Sequence, residues 1–310
     1  MRLRVAVAVS VVVIAAVAIS AYALISAEQP QPQARGLTIL ATFYPLYDFA
    51  SNVAGDRANV SILVPGTVDV HNFEPTPSDI EKVATADILI INGAGLEPWV
   101  PRLLAAIDRP SLRVVDTSWG VDLLPVPTEF QRQGRTIDPH IWLDPTRARR
   151  QVENIAEALM EADPGNAAYY RSNADAYEAK LNALDAQIVS EIRTVKTRYF
   201  VTFHEAFAYL ASRYNLTQIP IQGPFQEEPT PSDIQSVVSA IRQYRLRYVG
   251  YESLENPAIP EAVSVQTNAT LILMDPIEGL TPADLAAGKD YIALMRDDAE
   301  NIMVALNNVG

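Results

Sequence analysis

Apolar positions along this chain follow two alternating rhythms. Short runs rich in valine, isoleucine and leucine alternate with longer stretches whose apolar residues recur every three or four positions, the spacings of strands and of one-sided helices. In the first half, Leu37–Thr42, Val60–Val64, Asp87–Ile91 and Leu112–Val115 predict strands, and Tyr44–Val53, Pro77–Thr85 and Leu96–Ile107 predict helices. In the second half, Tyr199–Phe203, Gln218–Ile221, Tyr248–Tyr251 and Leu271–Met274 predict strands, and Ala206–Tyr214, Pro231–Tyr244, Ile259–Thr267 and Asp290–Leu306 predict helices. Strand and helix in turn imply parallel sheets covered by helices, an α/β fold.

A heptapeptide occurs twice. Glu74-Pro-Thr-Pro-Ser-Asp-Ile80 returns letter for letter as Glu228-Pro-Thr-Pro-Ser-Asp-Ile234, 154 residues later. Thr76 and Thr230 suit the N-cap, Pro77 and Pro231 the first helical position, and Asp79 and Asp233 the third. Cap chemistry accounts for Thr-Pro-Ser-Asp but not for the shared Glu-Pro before it or the isoleucine after it. Two lobes of like topology account for all seven residues.

Between the halves the rhythm changes. Asp144-Pro145 starts a helix expected to run to about Met160. After Pro164-Gly165 neither proline nor glycine recurs until Pro220. Tyr170, Ala174, Tyr177, Leu181, Leu184, Ile188 and Ile192 then form one apolar seam at helical spacing. A helix of about 30 residues, about 45 Å long, follows from the rise per residue. It is either a coiled-coil strand or a stiff connector along the backs of both lobes, and the connector is the expected reading. The expected division is an N-terminal segment 1–27, a linker 28–36, a first lobe 37–162, the long helix 163–197 and a second lobe 198–310.

Arg2 and Arg4 precede a charge-free, largely apolar run from Val5 to Ile25, followed by Glu-Gln-Pro-Gln-Pro-Gln. That order reads as an export signal, with Ala21-Tyr22-Ala23 as a cleavage site, or as an uncleaved membrane anchor. With the arginines held inside, both readings put the body outside the cytoplasmic membrane. The chain has no cysteine, which removes disulfides, thiolate metal ligands and lipid attachment through a cysteine. Without Arg2 and Arg4 it carries 22 basic against 37 acidic residues. No basic footprint exists for nucleic acid.

Candidate chemistry rests on three histidines in 310 residues. His71 lies in the loop ahead of the first repeated cap, and His140 in a turn between two Asp-Pro pairs. His204 and Asp275 follow predicted strands, at the carboxyl ends where open α/β sheets place ligands. Taken singly, each histidine reads first as a capping or loop residue rather than a ligand, and Asp275 equally as a turn or cap residue. Taken together they make a His₃-carboxylate set, two residues from each half, which would put a borderline divalent ion, zinc first, in the cleft between lobes. Asp138 is a candidate carboxylate partner for a histidine. Neutral imidazoles bind metal, so affinity is expected to fall as pH drops through about 6.5.

Several stretches in one order carry a resemblance. They are Phe43-Tyr-Pro-Leu, His71-Asn-Phe-Glu-Pro-Thr-Pro-Ser-Asp, Asn92-Gly-Ala-Gly-Leu-Glu-Pro-Trp99, Asp138-Pro-His-Ile-Trp-Leu-Asp-Pro145, Phe203-His-Glu-Ala-Phe-Ala-Tyr209 and Leu273-Met-Asp-Pro276. From about Thr38 to Leu306 the chain resembles the metal-binding solute-binding proteins of zinc and manganese ABC importers. The resemblance implies two (β/α) lobes joined by one long helix, with His71, His140, His204 and Asp275 as ligand positions. It implies a permease and, through it, a cytoplasmic ATPase as partners. Glu252 matches another family position, read as supporting or structural. Two features depart from the pattern: Trp119–Ile137 holds no histidine where zinc relatives carry a histidine-rich loop, and the lipid-attachment cysteine is missing.

A third imidazole, where manganese relatives tend to carry a carboxylate, favours zinc over manganese or ferrous iron. A zinc hydrolase is the enzymatic alternative. Glu205 beside His204 lacks the second histidine of a zincin, since position 208 is alanine. Glu205 is therefore read as acidic decoration of a helix first turn. A metal-stabilised adhesin is the remaining alternative. The expected role is a non-enzymatic metal carrier.

Overall fold

The computed structural model describes residues 36–131 and 134–310. The segment expected to be a signal or anchor and most of the expected linker lie outside the described residues, and no described helix is long and apolar enough to cross a membrane. Residues Leu37–Gly310 form one compact unit.

The first half builds a four-stranded parallel sheet from β1 (Leu37–Ala41), β2 (Ala58–Ile62), β3 (Ile88–Ile91) and β4 (Arg113–Asp116), in the order β2-β1-β3-β4. Register is set by pairs such as Ile39 with Val60 and with Ile88. Around it run α1 (Tyr44–Ala54), α2 (Pro77–Thr85) and α3 (Val100–Ala105). The helix expected over Leu96–Ile107 is shorter because Gly93–Trp99 is spent on a turn, with Gly93, Ala94 and Gly95 all at positive φ. Ile39, Leu40, Ala41, Leu89 and Ile90 are buried, as expected of strands covered on both faces.

The second half contributes two parallel pairs, β5 (Tyr199–His204) with β6 (Thr217–Gln222), and β7 (Tyr248–Tyr251) with β8 (Thr270–Leu273). β5 and β7 press together at Gly250. A Cβ there would stand 2.8 Å from the Val201 carbonyl oxygen and 3.1 Å from Thr202 Cα, so only glycine allows the approach. Helices α6 (Ala208–Tyr214), α7 (Pro231–Tyr244), α8 (Ala258–Thr267), α9 (Pro282–Ala286) and α10 (Tyr291–Asn307) complete this half.

Between them lie α4 (Pro145–Ala162), capped by the Asp144 side chain through Thr146 N–H, and α5 (Ala167–Glu191). All seven seam residues from Tyr170 to Ile192 are buried against the protein's own core, which makes α5 the stiff connector. Its front is tied to the first half, where Tyr177 donates to Asp48 at 2.6 Å and Asn173 to the Val53 carbonyl at 3.0 Å. Its rear is tied to the second half, where Asp185 accepts from Arg213 at 2.7 and 2.9 Å and from Tyr214 at 3.0 Å.

Both copies of the heptapeptide begin helices by the same capping box. The side chains of Thr76 and Thr230 accept from the N–H of Asp79 and Asp233, whose carboxylates accept in return from the N-cap backbone.

Candidate metal centre

Three imidazoles converge where the sheets end. His204 is the last residue of β5, and its carbonyl accepts from Thr202 and Gln218 at 2.9 Å each. His140 precedes the 3₁₀ turn Ile141–Leu143. That turn is gripped from both halves: Asn92 donates to the Pro139 carbonyl at 2.9 Å and Tyr209 to the Asp138 carbonyl at 2.7 Å. Asn92 is held in turn, since Glu97 accepts from the N–H groups of Asn92 and Gly93 at 2.7 and 3.1 Å. Burial pushes the Glu97 carboxyl up to about 7. His71 sits in the loop between β2 and α2, where Asp69 accepts from its N–H at 2.7 Å.

His140 and His204 are held by one device. Asp138 Oδ1 lies 2.8 Å from His140 Nδ1 and 2.9 Å from its backbone nitrogen. Glu252 Oε1 lies 2.7 Å from His204 Nδ1 and 3.1 Å from its backbone nitrogen. Each carboxylate fixes a proton on Nδ1, which leaves Nε2 as the coordinating nitrogen. The two Nε2 atoms stand 3.2 Å apart.

The carboxylate that meets them is Glu278. Its Oε1 lies 3.1 Å from His71 Nε2, 3.4 Å from His140 Nε2 and 3.7 Å from His204 Nε2. The four donor atoms of His71, His140, His204 and Glu278 all fall within 4.8 Å of one another. A tetrahedral ion with ligands at about 2.0–2.1 Å separates its donors by roughly 3.3 Å, and the four distances above bracket that value.

Asp275, the carboxylate expected in this set, lies outside it. Its oxygens accept instead from the Ile277 N–H at 3.0 Å and from the N–H and hydroxyl of Ser253, the N–H at 3.2 Å. Glu278 was the residue missed. The available pointer was a second carboxylate three positions after Asp275 and just before Gly279. Glu205 also departs from expectation: it is buried and lies ahead of α6 rather than in its first turn.

Charges inside the group are strongly coupled. Burial disfavours the charged imidazole of His140, but Asp138 and then Glu278 outweigh it and push the ring up to about 9. The His204 ring is raised as well, burial being outweighed chiefly by Glu252. Burial pushes the Glu278 carboxyl up, yet the surrounding imidazoles hold it well below the ordinary carboxylate range. A cation that displaces these protons inherits the same electrostatic stabilisation.

A profile of the family described as zinc-uptake complex component A periplasmic matches residues 39–305, and the chain belongs to that family. The high-affinity zinc uptake system protein ZnuA of Bacillus subtilis is 29% identical over 279 residues, covering 87% of this chain and 88% of that protein. The zinc-binding lipoprotein AdcA of Streptococcus pneumoniae is 32% identical over 288 residues, 90% of this chain. The chain spans only 58% of AdcA's length. The crystal structure of the Zn(II)-bound ZnuA-like domain of AdcA matches with a TM-score of 0.76 at 30% identity, covering 88% of this chain and all of that domain.

Proposed function

We propose that this chain captures Zn²⁺ outside the cytoplasmic membrane, holds it in the cleft between its two halves and delivers it to the permease of an ABC importer. The observation that carries the proposal is the convergence of His71, His140, His204 and Glu278 on one point. Three nitrogens and one carboxylate oxygen suit zinc better than manganese, which prefers an oxygen-rich octahedral set. Permease and ATPase partners follow from the zinc-uptake role of the relatives, and the extracytoplasmic location from the family's periplasmic description and the basic-then-apolar start of the sequence.

The protein is a carrier rather than an enzyme. Four donors fill a tetrahedral ion and leave no position for an activated water. Loading with equimolar zinc and manganese, followed by elemental analysis of the separated protein, tests the choice of ion: zinc is expected to predominate, and predominant manganese would overturn it. A melt after chelation tests the carrier role. The apo protein is expected to stay folded and to melt higher with zinc, as ligand linkage requires; an unfolded apo protein would make the ion structural.

A further inference from the structure

The segment Met274-Asp275-Pro276-Ile277-Glu278-Gly279 is fastened along its whole length. Asp275 N–H donates to Asp298 of α10 at 2.8 Å, and both Asp275 oxygens are occupied by Ile277 and Ser253. From the opposite half, Trp142 donates its indole N–H to the Pro276 carbonyl at 2.8 Å. Gly279 lies backbone to backbone on Gly66, and a Cβ on Gly279 would stand 1.9 Å from the Gly66 carbonyl oxygen.

Ile277 breaks an ordinary rule inside this segment. Its φ is 60° and its side chain is fully buried. A β-branched residue rarely enters the left-handed region, and strain of this kind persists only where the surroundings over-determine it. The reversal at Ile277 turns the chain so that the next side chain, Glu278, points back at the histidines. The group that accepts from the N–H of Ile277 is Asp275.

We infer that Asp275 is a positioning residue: it holds Ile277 in the left-handed conformation that aims Glu278 at the metal. The inference deepens the proposed function and rests on Glu278 being the fourth donor. It gives Asp275 a part in zinc binding without contact to zinc. It also makes the segment a rigid arch with a fixed reach, suited to a small four-coordinate ion.

Zinc affinity of the full chain, measured by competition with a chelating dye, tests this with Asp275→Ala, Asp275→Asn, Glu278→Gln and the Asp275→Ala/Glu278→Gln pair. Asp275→Ala is expected to weaken zinc binding ~10–100-fold, the range for residues that orient a ligand. Asp275→Asn keeps an oxygen for the Ile277 N–H and is expected to recover most of that loss. In the Glu278→Gln background, Asp275→Ala is expected to add less than about twofold, because the two residues act as one unit. Cobalt-loaded Asp275→Ala is expected to show the visible spectrum of cobalt-loaded Glu278→Gln. Unchanged affinity in Asp275→Ala overturns the inference, and so does Asn damaging as much as Ala with additive loss in the pair, which would make Asp275 a ligand. Unchanged affinity in Glu278→Gln instead removes the fourth-donor assignment beneath it. If Asp275→Ala does not fold, Ser253→Ala removes one donor to Asp275 from an exposed position, and a zinc-affinity loss that vanishes in the Glu278→Gln background is expected.

Discussion

The four converging side chains divide into two unlike pairs. His140 and His204 stand against regular structure, each with a dedicated carboxylate on Nδ1 and on its own backbone. His71 and Glu278 stand on loops that touch through Gly66 and Gly279, and His71 Nδ1, though buried, has no hydrogen-bond partner. One pair is oriented before any ion arrives. The other pair owes its orientation to how two loops meet. Dedicated carboxylates thus brace one pair, and the joining of two loops braces the other.

The difference can be broken at several depths. Removing a donor outright should be worst. His140→Ala is expected to cost more than roughly 100-fold in zinc affinity, beyond what removal of an orienting residue costs, with the fold retained; unchanged binding in a dye competition would take His140 out of the site. Next come the braces. Asp138→Asn and Glu252→Gln are each expected to lose ~10–100-fold. Asp69, which accepts from the backbone N–H of His71 and the Asn72 side chain but does not meet the His71 ring, should matter far less when changed to asparagine. Equal losses at all three positions would erase the distinction between the pairs.

Acidification acts on the braced pair. With His140 pushed up to about 9, a proton competes with the metal well above the ordinary imidazole range. Zinc affinity should fall about tenfold per pH unit for each proton displaced as pH drops below about 9. The apo protein should show the opposite trend. A group whose pKa rises on folding stabilises the fold fully below its unfolded value, about 6.5. That stabilisation is lost as pH rises through the folded value. Melting of the apo form should therefore drop between pH 6.5 and 9 while the zinc-induced gain grows. Melts with and without zinc across that range check both signs, and parallel curves would contradict the coupling.

The smallest effect concerns the twin caps. Thr76→Ala and Thr230→Ala should each cost about 1 kcal/mol of stability. Thr76 starts the helix that follows the His71 loop, so only its replacement should also weaken zinc binding slightly. Equal zinc affinity in the two variants would uncouple that helix from the site.

Much of this was legible in the chain itself. The seam from Tyr170 to Ile192 announces a one-sided helix, and burial of all seven residues follows. The strand before His204 could be read because parallel strands buried on both faces are nearly continuous apolar runs, and the half-buried strand before Asp275 carries a similar apolar run. The twin heptapeptides start helices because threonine, proline and aspartate at those spacings satisfy free backbone N–H groups locally. The fourth member of the site was not legible. Asp275-Pro276 ends a strand, as a ligand position should, whereas Glu278 enters only because Ile277 takes a backbone conformation its side chain disfavours. No local preference of isoleucine foretells that turn; the Asp275 carboxylate holds it through the Ile277 N–H, in a segment fastened by Trp142, Gly66 and Asp298, which are distant in sequence.

Asp48 has a consequence of another kind. It is buried, with burial raising its carboxyl, and it accepts from Asn52, from Tyr177 and from the N–H of Tyr291. Those donors come from early, middle and late synthesis. A nascent chain lacking its last helix leaves this carboxylate short of a donor, a penalty on the order of 1–3 kcal/mol for a buried polar group. Asp48 on the first helix gains that last donor only once the carboxyl-terminal helix has been made, so completion of the core is tied to the far end of the chain.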